Sequence, residues 1–219
     1  MQTTTDKSGF QISQLTAINI AKVITILCLI ILSVIYGFQD QRQVIYLCLH
    51  ISYCSWWLLE QWLFPERAQQ IFNEKVGILA FIAVLLFVGV FYALPGYFAF
   101  TNSHPISYLT IAIALPLYIF GSLINTGADV QKMVAKSMGA SLVNDGIWRF
   151  VRHINYLGDL MRYTSFSVIA GSLWAFILPC IITLLYLQRI SQKEEAMAAK
   201  YPDFATYKQN SSRLLPGIW

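Results

Sequence analysis

The fold is decided by residues 76–128, which read VGILAFIAVLLFVGVFYALPGYFAFTNSHPISYLTIAIALPLYIFGSLINTGA and include no Asp, Glu, Lys or Arg. A helix of about 20 apolar residues crosses the hydrocarbon core of a bilayer, so this stretch is long enough for two crossings. The polar sequence TNSHP at 101–105 is typical of a turn and divides the stretch in two. Because backbone groups in lipid have no water to bind, both halves are expected to be helical. The sequence therefore predicts membrane spans at about 76–98 and 106–126.

The remaining composition is also that of a membrane protein. Hydrophobic residues make up 57% of the 219 residues and charged residues only 12%, about half the charged share of an average soluble domain. Further spans are predicted at about 18–38, where Lys22 is expected to snorkel, and at 44–64. Residues 2–8 are polar, and no small-residue cleavage site follows, so no cleavable signal peptide is expected. The net charge of +4 comes largely from basic residues at 132–152 and 189–213, which is typical of cytosolic flanks and not of nucleic-acid binding.

The last apolar region allows two topologies. Residues 163–188 carry no charge and could form one tilted span, but basic clusters flank both ends. Since basic flanks favour the cytosolic side, we predict a hairpin with limbs at 154–170 and 173–187 and a turn at Gly171 and Ser172. The predicted fold is an all-α bundle of about six transmembrane helices with both termini cytosolic. Residues 191–209 are expected to form a surface helix with Met197 and Phe204 facing lipid.

Polar and aromatic residues are concentrated at 145–159, which read DGIWRFVRHINYLGD. Cytosolic sidedness explains Arg149 and Arg152. It does not explain His153, Asn155 and Asp159, which continue into a predicted span where polar groups need partners. We therefore divide the chain into N-terminal helices (1–127), expected to hold a lipophilic substrate, and a cofactor-binding region (128–219) that includes the last two spans and the cytosolic tail.

Three blocks of sequence in this second region resemble one enzyme family. They are RHINYLGDL at 152–160, ADVQK at 128–132, and a tail in which Arg189, Glu194, Lys200 and Tyr201 precede LLPGIW at 214–219. In this order they resemble the sterol reductase family, which includes the sterol C14 and 7-dehydrocholesterol reductases, over about residues 125–219. That scaffold is shared with steroid 5α-reductases and isoprenylcysteine carboxyl methyltransferases. The methyltransferase motif usually has proline in place of Ile154 and lacks counterparts of Asn155 and Asp159, so the motif favours a reductase.

The resemblance implies that NADPH reduces a carbon–carbon double bond in a sterol- or isoprenoid-like substrate. The candidate cofactor-binding residues are Lys132, Trp148, Arg149, Arg152, His153, Asn155, Tyr156, Asp159, Arg189 and Glu194. The cations among them, with Lys193, suit phosphate oxygens, and the carboxylates suit ribose hydroxyls or the nicotinamide amide. The Asn155 amide suits the carboxamide, and Trp148 and Tyr156 offer rings for stacking. The chain contains no GxGxxG sequence, so no Rossmann turn is expected.

The proton that completes such a reduction needs an acid within the membrane. His50, Tyr53, Trp57 and Glu60 are spaced i, i+3, i+7 and i+10 and lie on one face of the second predicted helix. They form either a polar seam that hydrogen-bonds neighbouring helices or a face toward the substrate. In the second case, Glu60 or Tyr53 is the candidate catalytic acid. The three histidines are scattered along the chain, so no metal site is expected.

Three functions remain open from the sequence. The first is an integral membrane, NADPH-dependent reductase whose partners are membrane lipids and a lipophilic small molecule. The second is a methyltransferase of the isoprenylcysteine carboxyl methyltransferase type that uses S-adenosylmethionine, although that nearly neutral cofactor needs fewer cations than the chain provides. The third is a non-catalytic membrane subunit, which the full polar motif argues against. The sequence favours the reductase and leaves the oligomeric state open.

Overall fold

A computed structural model of the protein describes residues 11–69 and 71–219. The helices in chain order are α1 (Gln14–Tyr36), α2 (Gln41–Leu63), α3 (Pro65–Ala68), α4 (Ile78–Val84), α5 (Leu94–Thr101), α6 (Tyr108–Ser137), α7 (Ile154–Ala170), α8 (Ile177–Lys200) and α9 (Phe204–Gln209). A π turn (Leu85–Val90) and a 3-10 turn (Phe91–Ala93) join α4 to α5, and further 3-10 turns lie at Gly146–Trp148 and Leu173–Phe176. Two short strands, β1 (Ile12–Ser13) and β2 (Lys75–Val76), pair antiparallel. The polar segment 2–8 on which the signal-peptide expectation rests lies outside the described residues.

Four stretches of the described chain are long and apolar enough to cross a membrane: Gln14–Tyr36, Ile78–Thr101, Tyr108–Ser137 and Leu173–Lys200. α2 and α7 are also long helices, but they carry more polar side chains, including seven of the buried polar or charged residues of the described bundle. Together these make six passes. The predicted all-α membrane bundle of about six helices is confirmed, and the chain is an integral membrane protein.

One end of the bundle is closed by contacts between distant segments. β1, which precedes α1, pairs with β2, which precedes α4. Arg67 follows α2 and forms an ion pair with Asp129 of α6 at 2.5 Å. Val151, which precedes α7, forms a parallel bridge with Ser212 in the tail. The start of α1 and the tail after α8 therefore lie at the same end.

The last apolar region is a hairpin, and its turn is held at the opposite end of the bundle. α7 ends at Gly171, whose φ of +66° is the left-handed conformation that glycine adopts without a steric cost. Arg42 donates from Nη1 to the Ile169 carbonyl at 2.5 Å, and Asn102 donates to the Ala170 carbonyl at 3.0 Å. These bonds tie the turn to the first turn of α2 and to the loop after α5. The hairpin prediction is confirmed, and the single tilted span is excluded.

The third pass is irregular where it approaches α1. The π turn exposes carbonyl groups, and the Thr25 hydroxyl lies 2.9 Å from the Val88 carbonyl and 3.0 Å from the Gly89 carbonyl. A Cβ added at Gly89 would lie 3.1 Å from the Ile24 side chain, so glycine permits the close contact between the two helices. A π turn accommodates one extra residue, and here it brings Tyr92 against α1.

Two boundaries differ from those predicted. α6 continues to Ser137, well past the predicted end at 126, because its charged last turns bind the segments around them instead of entering water. The predicted surface helix at 191–209 is also wrong, since residues up to Lys200 continue α8 and only Phe204–Gln209 forms a separate helix. Phe204 is 3% exposed and packs inside the protein instead of facing lipid.

The six-pass arrangement predicts which positions share a side of the membrane. Ser137→Cys and Ser212→Cys, made in a chain whose four native cysteines are replaced by alanine, should both react with a membrane-impermeant maleimide added from one side. Ser103→Cys, in the loop between α5 and α6, is the control and should react only from the other side. Reaction of Ser103→Cys and Ser137→Cys from the same side would contradict the six-pass bundle.

Candidate functional site

The end of α6 shapes the loop that leads into the motif. The Gln131 side chain accepts from the Ile147 backbone N–H at 3.0 Å. Trp148 then turns inward, and its indole N–H donates to the Ala128 carbonyl at 3.0 Å. The Lys132 ammonium lies over the Trp148 ring, 5.2 Å from its centre. The structure thus brings together the candidate residues Lys132 and Trp148. The indole N–H of Trp148 is bound to the Ala128 carbonyl and holds the loop in place.

Two further candidates, Arg152 and Glu194, bind each other and the C-terminal tail. Arg152 Nε donates to Glu194 Oε1 at 3.0 Å, and Arg213 Nε lies 3.2 Å from Glu194 Oε2. The Arg152 backbone N–H also donates to the Ser212 carbonyl at 2.9 Å. Arg152 and Glu194 are both buried. This cluster of Arg152, Glu194 and Arg213, which we call the tail latch, holds the C-terminal segment against the motif.

His153 and Tyr156 belong to a stack of rings that connects α7 with α8. The His153 and Tyr156 ring centres are 5.8 Å apart, and Tyr156 stacks on Tyr186 at 4.3 Å. Burial lowers the pKa of His153 to about 4, although the neighbouring Glu194 opposes this shift. His153 is therefore neutral at pH 7. The Lys193 ammonium lies 4.8 Å from the Tyr156 ring centre, so a cation faces this stack.

Three cations lie near one another beside the rings of Tyr156 and Trp148. Lys132 of α6 and Lys193 of α8 lie close enough to repel each other, and Arg189 repels Lys193. Asp129 attracts both lysines, but its carboxylate is already bound to Arg67. None of the three cations forms an ion pair with any described residue. We call Lys132, Arg189 and Lys193 the basic cluster. Arg149 is exposed and lies over its neighbour Phe150.

Glu60 and Asn155 lie at the same end of the bundle, joined through Arg67 and Asp129. Glu60 accepts from the Trp56 indole at 3.0 Å and lies 3.5 Å from the Arg67 guanidinium. Arg67 binds Asp129, which also accepts from the Asn155 amide at 3.4 Å. Glu60 is therefore near the motif, beside charged partners, and not deep in the apolar part of the bundle.

Asp159 connects the ring stack with buried polar residues in the interior of the bundle. One carboxylate oxygen accepts from the Arg162 guanidinium, and the other accepts from the Tyr186 hydroxyl at 2.9 Å. Arg162 is only 4% exposed, and its guanidinium lies 4.3 Å from the centre of the Tyr53 ring. Asn125 of α6 lies 3.5 Å from the same guanidinium. Asp159 and Arg162 thus connect the ring stack to the second candidate acid, Tyr53.

Tyr53 lies at the centre of a buried hydroxyl network. Its oxygen is 2.7 Å from the Tyr163 hydroxyl and accepts from Lys22 Nζ, also at 2.7 Å. Lys22 is 2% exposed, so the prediction that it snorkels is wrong: its ammonium finds a hydroxyl partner inside the bundle. This buried network consists of Asp159, Arg162, Tyr53, Tyr163 and Lys22. Tyr53 and Glu60 are separated by about two turns of α2, roughly 10 Å along the helix, and have different partners.

The other two members of the α2 stripe bind neighbouring side chains. The His50 Nδ1 is 2.9 Å from the Tyr46 hydroxyl, and its ring stacks on Phe166 of α7 at 4.3 Å. The Trp57 indole donates to Asn19 of α1 at 2.8 Å. Each side chain of the stripe therefore has a polar or aromatic partner, as expected for a seam between helices.

Gly158 in the motif lets α7 approach α6 closely. A Cβ added at Gly158 would lie 2.7 Å from the Gly121 carbonyl oxygen, and one added at Gly121 would lie 2.6 Å from the Gly158 carbonyl oxygen. No side chain fits at either position. The approach also allows Asn125 to donate to the Asn155 carbonyl at 3.0 Å. The motif glycine therefore positions the polar residues on both sides of it.

Tyr186 and Asp129 also belong to the site, although they are not among the candidate residues that the sequence predicts. Tyr186 links the ring stack to Asp159, and Asp129 links Arg67 to Asn155. Tyr186 precedes Arg189 by three residues and Lys193 by seven, so a shared helical face is the signal that points to it. Asp129 is the first charged residue after the uncharged stretch 76–128, and this place in the sequence is the signal that points to it.

Comparison with known proteins extends the likeness beyond the motif. The sequence profile of a family described as "Protein of unknown function (DUF1295)" matches residues 10–211. The chain is 25% identical over 191 residues to a Delta(14)-sterol reductase of Arabidopsis thaliana, an alignment that covers 78% of this chain and 52% of that protein. It is 24% identical over 193 residues to a Delta(14)-sterol reductase of Methylotuvimicrobium alcaliphilum, covering 77% and 45%.

The chain thus spans about half the length of the curated relatives that it matches. The family match begins far before residue 125, where the motifs begin, so the expectation that the likeness is limited to 125–219 is wrong.

The tail latch predicts a stability effect at Glu194. Glu194→Gln should destabilise the folded protein by about 3 kcal/mol, because breaking a buried ion pair leaves a buried cation, here Arg152, unmatched. The measurement is the thermal unfolding midpoint in detergent, together with the rate of trypsin cleavage in the tail after Lys208. Glu195→Gln is the matched control, since Glu195 is an exposed neighbour without an ion pair among the described residues. Equal midpoints and equal cleavage rates for the two variants would show that the latch does not hold the tail.

Proposed function

This chain belongs to the DUF1295 family, a sterol reductase-like family of membrane proteins, and on that premise we propose that it is an NADPH-dependent reductase of a carbon–carbon double bond in a sterol-like substrate. The names of the two relatives, Delta(14)-sterol reductase, support a sterol-like alkene as the substrate class. The observation that carries the proposal is the continuity of contacts from the unpaired basic cluster through the ring stack and Asp159 to Tyr53.

The basic cluster suits the phosphates of NADPH. The cofactor is a polyanion, and Arg189 can bind a phosphate through two N–H groups while Lys132 and Lys193 act as point charges. Arg149, which is exposed at the start of the motif, adds a fourth cation. Arg152 and Glu194 satisfy each other, so we assign them the role of holding the tail behind the phosphate site.

The polar and aromatic side chains beside the cluster suit the remainder of the cofactor. Tyr156 presents an aromatic face next to Lys193, and Trp148 presents one next to Lys132. The Asn155 amide can both donate to and accept from a carboxamide. When bound, NADPH supplies a hydride to one carbon of the substrate double bond. We assign the nicotinamide end of NADPH to the side of the site nearest Asp159, where the polar contacts continue into the bundle.

Tyr53 is the proton donor in this proposal. Its hydroxyl lies within hydrogen-bond distance of both Lys22 and Tyr163, and the Arg162 guanidinium lies against its ring. The two cations would stabilise the anion left on the phenol oxygen after proton transfer, and so offset part of the cost of forming a charge in a buried site. Tyr163 is positioned to return a proton to Tyr53. Glu60, which is paired with Arg67, is assigned a supporting role at the cofactor end.

Both regions of the chain contribute to the proposed site, because Lys22 and Tyr53 come from 1–127 and the basic cluster comes from 128–219. We further propose that the end with the basic cluster faces the cytosol, since Lys and Arg are enriched on cytosolic flanks. That orientation places both described ends of the chain and the cofactor site on the cytosolic side.

A binding measurement tests the cofactor. Isothermal titration of the detergent-solubilised protein should show saturable NADPH binding that weakens as salt is added, because exposed charge contacts are screened. Lys193→Gln should weaken binding about tenfold, or 1.4 kcal/mol. Lys200→Gln, an exposed lysine outside the cluster on the same helix, is the control and should bind like the wild type. Saturable binding of S-adenosylmethionine without binding of NADPH would establish the methyltransferase instead.

A turnover assay tests the reaction. NADPH oxidation by the protein in liposomes should depend on an added sterol with a C14 double bond. Tyr53→Phe should slow oxidation about 100-fold, within the range expected for loss of a general acid, and should leave NADPH binding unchanged. NADPH binding with no oxidation on any sterol alkene would leave a nucleotide-binding membrane subunit as the function.

A further inference from the structure

We propose that Lys22 is a positioning residue for Tyr53, whose anionic form its ammonium stabilises, so that the phenol can give up its proton inside the membrane. The catalytic part of this inference rests on the proposed reductase function. The electrostatic part, which concerns only Lys22 and Tyr53, does not. Neither the sequence motifs nor the relatives assign a role to Lys22.

Lys22 is a buried cation with no carboxylate partner among the described residues. Its ammonium lies 4.1 Å from the centre of the Tyr53 ring, 4.8 Å from that of Tyr92 and 5.9 Å from that of Trp57. It donates a hydrogen bond to the Tyr53 oxygen, and it forms no ion pair within residues 11–69 and 71–219. Three ring faces and one hydroxyl offset only part of the cost of burying an ammonium. A negative charge that forms beside it is therefore strongly favoured.

The phenol oxygen of Tyr53 is the place where such a charge can form. The ionisable groups that act on Tyr53 from the helices around it are Lys22, Tyr92, Arg162, Tyr163 and Asp159. The cation Lys22 is also influenced by Cys54 and His50 of α2. The one carboxylate among these groups, Asp159, is bound by Arg162 and Tyr186. Two cations therefore act on Tyr53, and the single anion near them is already compensated.

The proton-transfer step is balanced on this basis. The O–H bond of Tyr53 breaks and a C–H bond forms at one alkene carbon, using the π electron pair of the double bond. The other carbon receives the hydride from the reduced nicotinamide. The electron pair of the broken O–H bond stays on the Tyr53 oxygen, where the Lys22 ammonium opposes it at hydrogen-bond distance. A proton from water, passed through Tyr163, restores the phenol.

A purely structural Lys22 would behave differently. If the side chain only fills space between α1, α2 and the third pass, methionine of similar length should replace it without affecting Tyr53. If its charge acts on Tyr53, the loss of that charge should change the ionisation of the phenol. The distinguishing quantity is therefore the titration of Tyr53, which needs neither cofactor nor substrate.

The experiment is an alkaline titration of the solubilised protein, followed by tyrosinate ultraviolet absorbance. The Tyr53 contribution is obtained by subtracting the titration of Tyr53→Phe. Lys22→Met should raise the pH at which Tyr53 ionises by about one unit or more. Lys75→Met, the same change at an exposed lysine in β2, should leave it unchanged. An unchanged Tyr53 titration in Lys22→Met overturns the proposal, whatever the protein catalyses.

Two further measurements separate the possible failures. Lys22→Gln keeps a hydrogen-bond donor without the charge, and thermal midpoints identify which of the two variants is folded for the titration. In the turnover assay, a folded Lys22 variant should lower kcat at least about tenfold, while its NADPH Kd stays that of the wild type. Wild-type protein that does not bind NADPH overturns the reductase function but not the Lys22–Tyr53 pairing. Full activity in the Lys22 variants overturns the positioning role.

Discussion

The Arg162 guanidinium, buried within a membrane bundle, is in contact with groups from three helices and reaches a fourth through Asp159. It binds Asp159 on its own helix, and through that carboxylate it reaches Tyr186 of α8. It lies against the Tyr53 ring of α2 and near Asn125 of α6. In lipid no water can replace a lost partner, so each of these contacts restricts how α2, α6 and α8 can slide along α7. The position of Tyr53 relative to the ring stack follows from this one cation.

Most of the fold is predictable because a bilayer leaves few alternatives. The uncharged stretch 76–128 predicts two passes, and the basic flanks of 163–188 predict the hairpin. The apolar segments at 18–38 and 44–64 predict the other two passes. The length of α6 was not predictable in this way. Its last turns carry Asp129 and Lys136, which resemble the start of a loop, and they stay helical because Arg67 and the Ser141 carbonyl bind them. Arg67 lies 62 residues from Asp129 in sequence, so no local pattern reveals this contact.

The candidate site, like the fold, is predictable from the sequence only in part. The motif at 145–159 is visible because polar residues enter a span, and the structure places its members together at one end of the bundle. Their individual partners are not visible in sequence, since Arg152 pairs with Glu194, 42 residues away. Lys22 illustrates the limit most clearly. A single lysine in an apolar span is usually expected to snorkel, and only the fold reveals that Tyr53, 31 residues later, receives its hydrogen bond.

A membrane protein can carry cations at one end either to set its orientation or to stabilise its fold. Whether a cation forms an ion pair distinguishes these two roles. Basic residues that only set sidedness have no need to converge, and each can extend into water alone. Residues that hold the fold together are matched, as Arg152 and Arg213 are matched by Glu194. Lys132, Arg189 and Lys193 fit neither description. The charge of Lys193 lies close enough to those of Lys132 and Arg189 to repel both, and none of the three forms an ion pair among the described residues. Such an arrangement is destabilising in isolation and becomes favourable when an anion lies between the cations. The same reasoning applies to Lys22, whose buried charge also forms no ion pair with a described residue, except that there the anion is expected to form on the protein itself, at Tyr53.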